Sequence, residues 1–172
     1  MTQRSMSVRE LLQGRADAGA AGDIVVRGLT LDSRHVVADD AFVALAGAHA
    51  HGITFAPAAS ARGAAVILAD TAGIAAPASD VRHPVGTPVL WIDGLREQVG
   101  AMASHFFGEP SRALHVVAVT GTNGKTSSVQ LLAQALQHAG HRAATIGTLG
   151  AGLHGAIHAG ERTTPEDRKS VV

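Results

Sequence analysis

The run Val116-Val117-Ala118-Val119-Thr120-Gly121-Thr122-Asn123-Gly124-Lys125-Thr126-Ser127 constrains this chain more than any other segment. β-Branched residues lead into a turn with two glycines, and a helical pattern opens at Lys125-Thr126. Glycine lets a backbone wrap closely around an anion, with successive N–H groups turned inward. A helix that starts there aims the positive end of its dipole at the same point. A lysine adds a mobile cation for the outer phosphates, and the hydroxyl after it suits a Mg²⁺ coordination position. The general phosphate-loop pattern G-x-x-x-x-G-K-[ST] would need glycine at position 119, where this chain has Val119. What stands here is a tighter T-G-T-N-G-K-T. Gly121, Thr122, Asn123, Gly124, Lys125, Thr126 and Ser127 are read as an ATP-binding loop, with Lys125 the catalytic candidate and Thr126 the Mg²⁺ ligand. A strand, turn and helix start that merely contain a lysine is the plain alternative, and the order of the three elements weighs against it.

Periodicity places this loop within an α/β chain. Ser7 to Gln13 reads as a first helix, with Ser7 as N-cap and Glu10 three residues on. Ile24 to Leu31 and Ala41 to Ala46 read as strands, Thr54 to Arg62 as a helix ended by Gly63, and Ala64 to Ala69 as a buried strand. Thr71 to Gly86 reads as a loop and Pro88 to Ile92 as a strand. Leu95, Val99, Met102, Ala103 and Phe106 then recur at helical spacing through Phe107. Gly108-Glu109-Pro110-Ser111 ends that helix and marks a domain boundary. Beyond it, strand His115 to Thr120, the loop, helix Thr126 to Ala139 and strand Ala143 to Thr148 make a strand–helix–strand unit expected of a parallel sheet. The expectation is one α/β domain over residues 1–111 and the opening of a second over residues 112–172. Two strands and one helix bury too little apolar surface to stand alone, so the second domain is expected to be truncated.

Composition narrows the partners. With 172 residues, a formal charge of zero and 46% hydrophobic residues, the chain fits a soluble globular protein, with no electrostatic case for nucleic acid or anionic lipid. Met1 to Leu12 is no secretory signal, and no apolar stretch is long enough to span a bilayer. Zero cysteines exclude disulfides and thiolate metal sites and fit a cytoplasmic location. Ten histidines invite a metal hypothesis. His49 and His51 are two apart in a loop, and His154 and His158 four apart in a Gly/Ala-rich stretch, so solvated or packed histidines are the better reading.

A second motif supports a resemblance. Leu29-Thr30-Leu31-Asp32-Ser33-Arg34 is followed by Asp40-Ala41-Phe42-Val43-Ala44-Leu45-Ala46-Gly47, by His51-Gly52, and by Arg62-Gly63-Ala64-Ala65-Val66-Ile67-Leu68. Together with T-G-T-N-G-K-T-S, this order resembles the Mur ligase family, and within it the tripeptide-synthetase (MurE-type) branch, from about Val8 to Pro165. The resemblance implies a domain that binds a UDP-sugar, followed by an ATPase domain with a parallel sheet. It assigns Leu31, Ser33, Ala48, His49 and Ala50 to the uridine end of the substrate. Thr163 and Thr164 match an N-T-T-P element that holds the muramoyl part. The family more often has polar residues at 48–50, and Arg162 stands where it has asparagine.

The same resemblance implies the chemistry. The D-glutamate carboxylate of UDP-MurNAc-L-Ala-D-Glu takes the γ-phosphoryl of ATP, with Mg²⁺, and the acyl phosphate is attacked by the amine of a diamino acid. The enzyme is expected to be a cytoplasmic monomer with no nucleic-acid or membrane partner, and a chain ending at residue 172 is expected to be inactive alone. Diaminopimelate or lysine is left open as the added residue, the Ala/Arg-rich composition leaning toward diaminopimelate. Three alternatives stay open: a MurF-type ligase, a folylpolyglutamate synthase, and a non-catalytic nucleotide-binding module.

Overall fold

The computed structural model describes residues 4–48, 50–74 and 86–158. Two compact units divide the chain, Met1–His115 and Val116–Val172. Among the described residues, no helix is long and apolar enough to cross a membrane.

In the first unit, β1 (Met6–Ser7) pairs antiparallel with β2 (Val25–Val26). Helix α1 (Val8–Leu12) starts on a complete capping box, with the Ser7 hydroxyl accepting from the Glu10 amide while the Glu10 carboxylate accepts from the Ser7 amide. The unit's centre is a four-stranded parallel sheet in the order β3 (Gly28–Thr30), β4 (Asp40–Ala44), β5 (Val66–Asp70), β6 (Val89–Ile92). Alternation along these strands makes two cores. Ala41, Val43, Val66, Leu68 and Ile92 face α1 and α3 (Leu95–Phe107). Phe42, Ala44, Ile67 and Ala69 face the short helix α2 (Ala56–Ala61). Every residue of β4 and β5 is buried, as a parallel sheet covered on both faces requires. The stretch 24–31 is not one strand, as its apolar run suggests. Arg27 donates its amide to Asp39 O and separates β2 from β3, so the chain passes from one sheet to another.

In the second unit, α4 (Lys125–His138) is followed by an antiparallel meander, β7 (Ala144–Gly147), β8 (Gly150–Leu153) and β9 (Ala156–His158). Two-residue turns close both hairpins, with Gly150 (φ 115°) and Gly155 (φ 86°) supplying conformations a side chain resists. This corrects the expectation of a parallel strand–helix–strand unit. Residues 115–120 pair with no strand among the described residues, and 144–147 takes an antiparallel partner. The reason is physical: β-branched composition favours an extended backbone, but a strand exists only beside another. The apolar stripe of α4 is likewise open, with Leu132 39% and Leu136 38% exposed.

Candidate functional site

Each unit carries one group of the residues singled out from sequence. In the second unit, the loop ahead of α4 turns through Gly121 (φ 147°) and Gly124 (φ 77°, ψ −5°). No side chain caps the helix, and Ser128 is the first residue whose amide finds a carbonyl, that of Gly124. Among the described residues, the amides of Thr122 to Ser127 donate no hydrogen bond, and residues 121–128 are exposed. Unpaired amides at the start of a 14-residue helix make a concentration of positive potential. Lys125 Nζ donates to Thr122 O at 3.1 Å and also to Gly121 O. Its ammonium is thus held against the loop.

A cavity of about 200 Å³ opens beside it, lined in part by Lys125, Thr126, Gln130, Thr145 and Gly147. Gln130 Nε2 donates to the buried Thr145 hydroxyl at 3.3 Å, tying α4 to β7 along the cavity wall. Neither residue stood out in the sequence, because their pairing spans 15 positions and belongs to no local pattern. The Thr126 hydroxyl makes no hydrogen bond among the described residues, so it fits a single ligand position on a phosphate-bound cation. No cluster of three His, Cys, Asp or Glu side chains suited to a metal occurs among the described residues.

In the first unit, the second group lies at the carboxyl edge of the parallel sheet, where ligands of α/β sheets gather. Leu31 and Ser33 follow β3, Ala48 and Ala50 follow β4, and these two strands are neighbours. The crossover between them, residues 31–39, is short and built on a 3₁₀ turn at Ser33–His35. Asp32 caps that turn, accepting from the Arg34 amide at 2.9 Å, and grips the Arg34 guanidinium at 3.0 Å and 2.6 Å. The guanidinium hydrogen bond holds the Asp32 carboxyl at about 2, well below its ordinary 3.8. Ser33 is buried, and its hydroxyl makes no hydrogen bond among the described residues. Ala48 and Ala50 are exposed. His49, Thr163 and Thr164 lie outside the described residues.

With this geometry in place, comparison with known proteins identifies the lineage. Residues 25–107 match the Mur ligase family, catalytic domain, and residues 119–169 match the Mur ligase middle domain. The UDP-N-acetylmuramoyl-L-alanyl-D-glutamate--2,6-diaminopimelate ligase of Xanthomonas campestris pv. campestris is 48% identical over 162 residues, 94% of this chain and 31% of its own length. The ligase of the same name from Pseudomonas aeruginosa is 44% identical over 147 residues, 86% of this chain and 29% of its own length. A solved structure with that name superposes with a TM-score of 0.63 at 25% identity, covering 88% of this chain and 30% of that one. A solved Acinetobacter baumannii MurF, at 23% identity and a TM-score of 0.56, shares the fold. This chain spans about a third of the length of the relatives it matches. Two domain matches in the family's order, one on each unit, show that the chain belongs to the Mur ligase family.

Proposed function

We propose that this chain carries the nucleotide-sugar and ATP-phosphate elements of an ATP-dependent ligase that adds a diamino acid to UDP-MurNAc-L-Ala-D-Glu in peptidoglycan precursor synthesis. Residues 1–111 form the UDP-sugar domain and residues 112–172 belong to the ATP-binding domain. Meso-diaminopimelate is the added residue, a reading supported by relatives 44–48% identical that bear that name. The work is placed in the cytoplasm, by a monomer that takes ATP, the UDP-sugar dipeptide and the diamino acid.

The observation that carries this reading is the set of unpaired amides from Thr122 to Ser127 at a helix start beside the Lys125 ammonium. A carboxylate resists amines because an oxide cannot leave. One of its oxygens attacks the γ-phosphorus of ATP, the bond to the β-phosphate oxygen breaks, and ADP departs. The amine then attacks the acyl carbon, loses a proton, and expels inorganic phosphate. The transferred group needs positioning and charge neutralisation more than covalent help. Gly121, Thr122, Asn123, Gly124 and Ser127 present the backbone cradle, while Lys125 neutralises the outer phosphates. The Thr126 hydroxyl is the group to hold Mg²⁺, which would add further neutralisation when bound. Leu31, Ser33, Ala48, His49 and Ala50 are assigned to the uridine end, and Thr163 and Thr164 to the muramoyl part.

Calorimetric titration of the 172-residue chain with UDP-MurNAc-L-Ala-D-Glu and, separately, with ATP and Mg²⁺ tests the two halves. Binding of both supports the ligase reading. ATP binding without any uridine-nucleotide binding would reduce the chain to a nucleotide-binding module.

A further inference from the structure

The hairpin between β4 and α2 has a recognition problem of its own. Ala48 and Ala50 carry only methyl groups, which cannot hydrogen-bond, so their polar contacts with a base edge must come from peptide N–H and C=O groups. A side chain can adjust its aim by changing rotamer, whereas a peptide group points where the backbone puts it. Whatever fixes this hairpin therefore fixes its reading of the ligand.

The hairpin closes at its base through Gly47 N to Ala50 O at 3.0 Å and Gly52 N to Leu45 O at 2.8 Å, with a bridge between Ala46 and His51. Both glycines are demanded by close approach. A Cβ on Gly47 would meet Ala50 O at 2.5 Å, and one on Gly52 would meet the Ala44 backbone at 2.8 Å. Two side chains then tie this base to other elements. The His51 ring accepts from the Ile53 amide through Nδ1 at 3.0 Å, which leaves the proton on Nε2 to donate to Asp70 O at 3.0 Å. One imidazole thus joins the exit of β4 to the end of β5, with the Trp91 ring 6.3 Å away between centroids. From the first turn of α3, Arg96 Nη2 donates to Ala46 O across 50 residues of sequence.

We propose that His51 and Arg96 are positioning residues for the uridine end of the nucleotide-sugar, holding the alanine hairpin so that its backbone groups meet the base. This rests on reading the carboxyl edge of the sheet as the UDP-sugar site. Neither residue touches the ligand. Each acts through the backbone of Ala46, Gly47 and Ala50.

The test titrates UDP into the full chain by calorimetry, with ATP titrated in parallel as the control. His51→Ala and Arg96→Ala are each expected to weaken UDP binding about tenfold, roughly 1.4 kcal/mol, with ATP affinity unchanged. His51→Asn keeps an acceptor for the Ile53 amide and His51→Gln keeps a donor toward Asp70, so each is expected to recover part of the loss. A wild-type chain that binds no UDP overturns the UDP-sugar reading. A wild-type chain that binds UDP, beside folded alanine variants that bind it equally well, overturns the positioning roles alone. Arg96 is exposed, so Arg96→Ala keeps the test decisive if His51→Ala does not fold.

Discussion

Lys125 is bound to its own loop through Thr122, whose carbonyl accepts from Nζ at 3.1 Å. The ammonium is therefore held beside the unpaired amides. Lys125→Ala in the 172-residue chain is expected to abolish measurable ATP binding while leaving UDP binding unchanged in the same titration. In a ligase of the relatives' length carrying these residues, turnover is expected to fall about a hundredfold or more. Unaltered turnover at saturating ATP would remove Lys125 from the catalytic machinery.

Asp32 gives the first unit an acid-sensitive turn. Its carboxyl is held at about 2, chiefly by the Arg34 guanidinium, so the folded state favours the ionised form. The stabilisation is complete above the ordinary value of 3.8 and is lost as pH falls through about 2. Because Arg34 is well exposed, solvent screening holds the contribution to about 1 kcal/mol. Urea midpoints from pH 7 down to pH 2 measure it. Asp32→Asn, which keeps an acceptor for the Arg34 amide, is expected to lower the midpoint at pH 7 and to narrow its difference from wild type in acid.

Gly52 lies against the backbone of the preceding strand, with no room for a methyl group. Gly52→Ala must push Ala44 and Leu45 away and is expected to destabilise the first unit by about 1–3 kcal/mol. Thermal or urea unfolding detects this directly. A variant as stable as wild type would mean that the hairpin base sits farther from β4.

Phe42 is 1% exposed at the centre of β4, on the face covered by α2. Phe42→Ala leaves a cavity that small alanine neighbours such as Ala44, Ala56 and Ala59 cannot fill by changing rotamer. A loss of about 3–5 kcal/mol is expected from denaturant unfolding.

Much of the fold was legible where the signal is local. Ser7 and Glu10 announce α1 because a capping box needs only four consecutive residues. Apolar spacing from Leu95 and the stop at Gly108 mark α3, observed over Leu95–Phe107, as its pattern indicates. The glycine turn and the helix start at Lys125 were legible for the same reason, since the glycines and the lysine act within one turn. Pairing was not legible. Val116 to Thr120 has the composition of a strand, but composition does not name a neighbour, and Ala144–Gly147 finds its partner through a tight turn at Thr148 and Leu149. Arg27 looks like one polar residue inside an apolar run, yet its amide leaves the run to meet Asp39. In the candidate uridine site, His51-Gly52 stood out as a dipeptide without a role, and Arg96 gave no signal because its partner is 50 residues distant.

The most direct test of the phosphate cradle is an amide nuclear magnetic resonance titration of this chain with ATP and Mg²⁺. The largest shifts are expected at the amides of Thr122 to Ser127, saturating together and vanishing in Lys125→Ala. Shifts centred elsewhere, or none in that segment at ATP concentrations that saturate binding, would contradict it.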